Sequence, residues 1–205
     1  MKIEIWSDVM CPFCYLGKKH LEEALEQNQE EVEIEWKSFQ LNPQLAGPPV
    51  STLDYLSNAK GMPVEQISAS FGPLREAGRN VGIELNFEKA QIVNTRSAHR
   101  FIQWAKAQGK GDEAEEKLFY SHFTLGENVG DHSILNRISE ELGLGDASDA
   151  QTNPLYDQAV DRDLLEASQI GVRGVPFFVF NNKYAVSGAQ PAQVFKEVIE
   201  KLRAN

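Results

Sequence analysis

Lys2-Ile3-Glu4-Ile5-Trp6-Ser7-Asp8-Val9-Met10-Cys11-Pro12-Phe13-Cys14 is the stretch on which the reading of the chain turns. Charged and bulky apolar residues alternate through Trp6, the period of a half-buried strand, which puts Ile3 and Ile5 on one face. Ser7 and Asp8 bring turn and capping chemistry. Beyond Pro12 the period changes. Leu21, Ala24 and Leu25 fall at i, i+3 and i+4, with Lys18, Lys19, Glu22 and Glu23 facing outward, so a helix is expected from about Pro12 to Asn28. Val32-Glu33-Ile34-Glu35-Trp36 alternates again as a second strand. A strand, a helix and a strand within about 40 residues make a βαβ unit with a right-handed crossover.

Outward from this unit the texture changes. Residues 45–153 carry helical periods and almost no strand signal. Asn94 or Thr95 can cap a helix reaching Gln108, with Ala98, Phe101, Ile102 and Ala105 as its apolar stripe. Asp112 can cap the next, bearing Ala114, Leu118 and Phe119. Asp131 or Ser133 opens a third, with Ile134, Leu135, Ile138 and Leu142, ended by Gly143. Weaker helical patterns cover Leu53 to Ala59 and Val64 to Asn80.

The tail is mixed. A helix from about Leu155 to Ser168 leads to the buried-strand run Val175-Pro176-Phe177-Phe178-Val179-Phe180. Asn181-Asn182-Lys183 turns it into Tyr184-Ala185-Val186-Ser187. A last helix, Pro191 to Leu202, presents Val194, Val198, Ile199 and Leu202. With the middle removed, the order β-α-β, α-β-β-α fits an α/β thioredoxin-like fold with a mixed central sheet. Its halves are 1–44 and 154–205, and 45–153 forms a large all-helical insertion, since roughly 100 structureless residues do not fit inside a compact domain.

Composition narrows the function classes. Of 205 residues, 41% are apolar and 24% charged, ordinary globular usage. Twenty basic residues against 30 acidic give a formal charge of -10, with the basic ones scattered, which speaks against a nucleic-acid partner. No run approaches the roughly 20 apolar residues of a membrane span. The first residues lack the basic region, apolar run and small-residue cleavage site of a secretory signal, so a reducing cytoplasm is the expected compartment.

The chain has two cysteines, Cys11 and Cys14. As a staple they are poor: a four-residue loop contributes roughly 2 kcal/mol, against about 4.7 for a 100-residue loop. A structural zinc site wants four ligands, and His20, His99, His122 and His132 show no ligand spacing, so no metal is expected. Redox chemistry accounts for the placement. At the start of a helix the Cys11 sulfur meets unpaired N–H groups and the positive end of the dipole, which favours its thiolate. One turn on, Cys14 is placed to attack a mixed disulfide at Cys11. Pro12 costs little at an early helical position. This reading requires the two sulfurs to be adjacent and the Cys11 sulfur to be open to solvent. Val175-Pro176 opens the buried strand, and the residues alone leave its peptide bond open between cis and trans. A cis bend packed on the cysteines would turn the Val175 N–H and C=O outward toward an extended peptide or glutathione.

Ser7-Asp8-Val9-Met10-Cys11-Pro12-Phe13-Cys14-Tyr15-Leu16-Gly17, Asn94-Thr95 with Ala98-His99-Arg100, and Gly174-Val175-Pro176-Phe177-Phe178 with Ser187-Gly188-Ala189-Gln190 resemble the DsbA family of thiol oxidoreductases. More narrowly the chain is similar to its FrnE-like branch, related to 2-hydroxychromene-2-carboxylate isomerases and kappa-class glutathione transferases. The resemblance spans nearly the whole chain. It implies a thioredoxin fold with a helical insertion, a Cys11 nucleophile, a Cys14 resolving thiol and a cis Pro176. It also implies that the helix start at Asn94 faces the cleft. Asn94 is otherwise a helix cap, and His99 is either a proton shuttle to Cys14 or a packed histidine. DsbA has a thiolate-stabilising histidine where this chain has Phe13, so a less oxidising disulfide is expected.

These readings converge on a dithiol–disulfide oxidoreductase acting on protein or small-molecule thiols and disulfides, with Pro12, Phe13, Val175 and Pro176 bordering the substrate. It needs no resident cofactor, and glutathione is a candidate co-substrate. A glutathione-dependent isomerase or transferase is the rival, opposed by the intact cysteine pair, because those relatives tend to have serine where this chain has Cys11. A non-catalytic binding module leaves the pair unexplained. Substrate, direction of electron flow and oligomeric state are not written in the residues.

Overall fold

The computed structural model describes residues 1–28 and 32–204. The βαβ unit forms as the periods require: β1 (Lys2–Ser7), α1 (Pro12–Asn28) and β2 (Glu33–Ser38), with β1 and β2 parallel. Register places Ile3 beside Ile34 and Ile5 beside Trp36. The sheet is completed from the far end of the chain by β5 (Phe177–Phe180) and β6 (Tyr184–Ser187), in the order β2-β1-β5-β6. β5 runs antiparallel to β1, setting Phe180 opposite Ile3 and Phe178 opposite Ile5. The turn into β6 holds Asn181 and Asn182 at φ 48° and 55°, a left-handed pair that asparagine tolerates and that suits a tight hairpin.

Side-chain alternation sorts the faces. Ile3, Ile5, Phe178 and Phe180 join Leu21 and Ala24 of α1 and Phe195 and Ile199 of α10 (Ala192–Arg203) in one buried cluster. Phe195 is the centre of that contact, its ring 4.8 Å from that of Phe178. The expected face of this last helix named Val194, Val198 and Leu202, which are only partly buried, and omitted Phe195, which is fully buried. On the opposite face Trp6, Phe177 and Val179 pack with Ala167 of α9 (Pro154–Ile170) and with Val172.

Between the sheet halves run β3 (Val50–Ser51), α2 (Thr52–Lys60), α3 (Val64–Ser70), α4 (Gly72–Asn80), β4 (Gln91–Ile92), α5 (Arg96–Lys106), α6 (Gly111–Phe119), α7 (His132–Glu141) and α8 (Ser148–Thr152). Against the expectation of an all-helical insertion, the segment also holds the β3–β4 pair, two residues each, too short to show an alternation. The expected helix over 64–80 is broken at Phe71, because Pro73 has no N–H to continue the ladder and instead sits in the first turn of α4. Lys110, not Asp112, holds the cap position of α6. Asp112 accepts the Trp36 indole N–H at 2.9 Å instead. Asp131 caps α7 as expected, accepting from the Ser133 N–H at 2.8 Å. α6 continues into a π-helical turn, Tyr120–Leu125, ended by Gly126 at φ 75°. The stripe of α5, with Ala114 and Leu118 of α6 and Leu135 and Ile138 of α7, merges with the sheet cluster, so this core crosses the sequence boundary at residue 45.

Candidate active site

The turn after β1 decides where the sulfurs sit. Asp8 is completely buried. Its carbonyl accepts the Cys11 N–H at 2.8 Å and its carboxylate accepts the N–H groups of Met10 (3.3 Å) and Leu41 (2.7 Å). This leaves Cys11 immediately ahead of α1, its own carbonyl accepting from the Cys14 N–H at 3.0 Å. No acidic residue occupies the first turn of α1, so nothing there neutralises the positive end of the helix.

The two thiols are shifted in opposite directions. A hydrogen bond from the Cys14 thiol, helped by the backbone N–H groups of Cys14 and Phe13, holds Cys11 below the usual thiol range, against its burial and the Asp8 charge. Cys14 is held well above that range, by burial first and then by its bond to Cys11 and the charge there. Both are free thiols. Adjacency is thus met, but openness is not: Cys11 keeps only 4% of its surface, because Val175 and an apolar cluster close over it.

That cluster is built largely by the inserted segment. Leu53, Ile67, Ile83, Leu85, Phe87, Phe119 and Phe123 surround Cys11, Cys14, Tyr15 and Leu16. Tyr15 stacks on Phe119 at 4.8 Å, and its hydroxyl donates to Glu116 at 2.8 Å.

The remaining expected residues fall in different places. The Val175–Pro176 bond is cis. The Val175 carbonyl does not point freely outward; it lies 3.5 Å from the Cys11 sulfur, positioned to accept the thiol proton. Gly17 lets this loop approach α1, since a Cβ there would stand 3.0 Å from the Pro176 ring and 3.1 Å from that of Phe178. Pro12 is half-buried and Phe13 projects, 51% exposed, beside the sulfur. Asn94 ties backbone together: its side chain accepts from the Arg96 N–H (2.9 Å) and donates to the Leu45 carbonyl (2.9 Å). No described contact joins Asn94 to the sulfurs. His99 is buried, with Nε2 3.5 Å from an Asp8 carboxylate oxygen, and no described contact links it directly to Cys14.

Glu115 is not among the expected site residues, and His122 entered only as a histidine without ligand spacing. Glu115, 1% exposed, accepts the Ser7 hydroxyl at 2.6 Å, and burial raises its pKa to about 7. His122, in the π-helical turn, is equally buried and is pushed down to about 4 by desolvation. The signal for Glu115 was a carboxylate one residue after Ala114 and three before Leu118, inside the apolar stripe of α6. Among the described residues no group of three or more His, Cys, Asp or Glu is arranged to hold a metal ion.

This arrangement can be compared with known proteins. The DSBA-like thioredoxin domain profile matches residues 2–200. The chain belongs to the DSBA-like thioredoxin domain family. Within reach of this DSBA-like chain, the uncharacterized protein YwbO of Bacillus subtilis (strain 168) is 32% identical over 202 residues, 96% of this chain and 94% of YwbO. The crystal structure described as probable DsbA oxidoreductase SCO1869 from Streptomyces coelicolor superposes with a TM-score of 0.93 at 32% identity, covering 100% of this chain and 91% of that one. The cytosolic disulfide reductase DsbM from Pseudomonas aeruginosa, solved with GSH, shares the fold at TM-score 0.67 and 15% identity, covering 99% and 100%. No helix among the described residues is long and apolar enough to cross a membrane.

Proposed function

We propose that this DSBA-like chain is a thiol–disulfide oxidoreductase in which Cys11 is the nucleophile and Cys14 the resolving thiol. The opposed shifts of two adjacent sulfurs carry the reading, and the 4% exposure of Cys11, which departs from the openness expected of it, requires the cover over the sulfur to part for a substrate. A thiol lowered at a helix start gives up its proton more readily than its raised neighbour, so Cys11 attacks first and Cys14 enters once a mixed disulfide has formed. Cys11 attacks a substrate disulfide and one substrate thiolate departs; Cys14 then attacks Cys11 and the second departs. The electrons stay on sulfur throughout, so the cycle uses neither a metal nor an organic cofactor. Pro12, Phe13 and the Val175–Pro176 loop border the incoming disulfide, and the Val175 carbonyl exchanges its contact with the thiol for one with the substrate.

The substrates are disulfides of proteins or small molecules, and glutathione is the electron donor. GSH in the DsbM structure supports that choice, as does Phe13, which brings no donor or charge to hold the thiolate in a strongly oxidising state. A glutathione donor fits the reducing cytoplasm expected of the chain. The test is insulin reduction driven by glutathione and by dithiothreitol. Cys11→Ser is expected to lower the rate at least 1,000-fold, to the uncatalysed background. Wild-type turnover in that variant would refute the reading, and a rate that ignores glutathione while responding to dithiothreitol would remove glutathione as the donor.

A further inference from the structure

The chain enters β5 through Val172-Arg173-Gly174-Val175-Pro176, and the first four of these differ in what they face. Val172 is buried with Trp6 and Ala167, and Val175 packs on the cysteine cluster with its carbonyl 3.5 Å from the Cys11 sulfur. Between them Arg173 is exposed, and at Gly174 nothing stands within 4 Å of where a Cβ would be. No described hydrogen bond uses the backbone N–H of Arg173, Gly174 or Val175. A run of unpaired N–H groups on an exposed loop is an edge with which an extended ligand can pair. Arg173 also has no described ion pair, whereas Lys18, Lys19, Lys37, Lys106 and Arg96 each face a carboxylate.

We propose that Arg173 binds the glycine carboxylate of glutathione while glutathione reduces the Cys11–Cys14 disulfide. The inference rests on the oxidoreductase reading above, with glutathione as donor, and adds the residue that selects it. A tripeptide laid antiparallel along the loop, with its cysteine opposite Val175, runs its glycine past Gly174 toward Arg173. Two residues of backbone span at most about 7 Å, so the guanidinium stays within reach of the slot. The first glutathione thiolate attacks the Cys11 sulfur: a bond from Cys11 to glutathione forms, the Cys11–Cys14 bond breaks, and Cys14 departs as a thiolate. A second glutathione thiolate attacks the bound glutathione sulfur, and Cys11 departs as a thiolate. Two glutathione molecules lose two electrons in becoming one glutathione disulfide, the cysteine pair gains them, and the two thiol protons pass through water to the cysteines.

Charge makes this contact matter. The chain carries a formal charge of -10, and the Asp8 carboxylate acts on the Cys11 sulfur. Glutathione arrives as an anion, so that field opposes its approach unless a cation beside the slot offsets it. Phe13, exposed beside the sulfur, brings no charge. A guanidinium pairs with a carboxylate through two parallel N–H bonds, a geometry that a lysine ammonium does not reproduce. Dithiothreitol, which is uncharged, gains nothing from Arg173.

The test reduces the oxidised full chain at neutral pH with glutathione, with its glycyl ethyl ester and with dithiothreitol. Samples are quenched in acid, and the freed cysteines are counted by alkylation and mass. The wild type should react about 10-fold faster with glutathione than with the ester. Arg173→Gln should lose that factor, bringing glutathione down to the ester, and should keep the wild-type rate with dithiothreitol. Arg173→Lys should recover part of the factor, and about 0.5 M salt should shrink it in the wild type. Equal rates for glutathione and its ester in the wild type, or a preference retained in Arg173→Gln, overturn the proposal. An equal loss with dithiothreitol also overturns it, because it marks a structural role. A wild type that dithiothreitol reduces and glutathione does not overturns it and leaves the oxidoreductase reading standing; a disulfide that neither thiol reduces refutes both.

Discussion

Along the sheet, Ile3, Ile5, Phe178 and Phe180 are held by strand registers that pair them two by two, and helices α1 and α10 cover the face they make. Around Cys11 and Cys14 the packing has another origin: Leu53, Ile67, Ile83, Leu85 and Phe87 arrive from short helices and connecting loops of the inserted segment. The first region is a repeating lattice of backbone bonds with side chains attached. The second is an assembly of stacked rings, Tyr15 on Phe119 at 4.8 Å and Phe71 on Phe87 at 3.9 Å, with no ladder beneath it. The difference separates two tasks. The sheet positions α1, and the inserted segment supplies most of the cover over the sulfur at its tip.

Matched truncations give the largest expected effects. Phe180→Ala in the sheet cluster and Phe123→Ala beside Tyr15 each remove a fully buried ring and should each cost about 3–5 kcal/mol in urea unfolding. They should part company on the thiols, because Phe123→Ala opens the cover and should speed iodoacetamide capture of Cys11 several-fold in the folded protein. Equal capture rates in the two variants would erase the division of labour.

The cysteine side also carries two buried titrating groups, His122 and Glu115, and their signs oppose. His122 sits at about 4 when folded and at its ordinary value near 6.5 when unfolded, so the unfolded chain binds more protons between those pH values. Its contribution to stability is complete above about 6.5 and falls as pH drops toward 4. Glu115, raised to about 7, binds its proton more tightly when folded, so its contribution is complete below about 4.5 and falls as pH rises toward 7. Each amounts to about 3 kcal/mol at roughly 1.4 kcal/mol per pH unit. Stability measured against pH for His122→Leu and Glu115→Gln, each compared with wild type, should show differences that grow in opposite directions. Parallel curves would mean that neither group is desolvated as described.

A smaller effect tests the sheet side. Asp131 caps α7, whose Leu135 and Ile138 belong to the sheet cluster. Asp131→Ala should cost about 1 kcal/mol of stability and leave the rate of Cys11 capture unchanged. A change in capture would show that the two clusters are coupled.

Much of this could be read from residue patterns. Alternation in Lys2–Trp6 and Val32–Trp36, the stripe of Leu21, Ala24 and Leu25, and the apolar run ending at Phe180 each report a local period, and the sheet follows from them. The spacing of Cys11 and Cys14 placed both sulfurs at the start of α1. What escaped has no local period. Val50–Ser51 and Gln91–Ile92 pair over two residues only, and the π-helical turn is an extension that depends on its surroundings. Glu115 and His122 look like ordinary polar residues until tertiary packing buries them. The closure over Cys11 likewise comes from residues far along the chain, which no window around the cysteines contains.

Gly17 ties these observations to one missing methyl group. With 3.0 Å between its notional Cβ and the Pro176 ring, and 3.5 Å to the Ala189 backbone, α1 and the Val175 loop are seated without slack. The 3.5 Å gap between the Cys11 sulfur and the Val175 carbonyl is thereby gauged from a point farther along the same helix. Sulfur and carbonyl already touch, so a group that reaches the sulfur has to take the carbonyl's place rather than slip between the two.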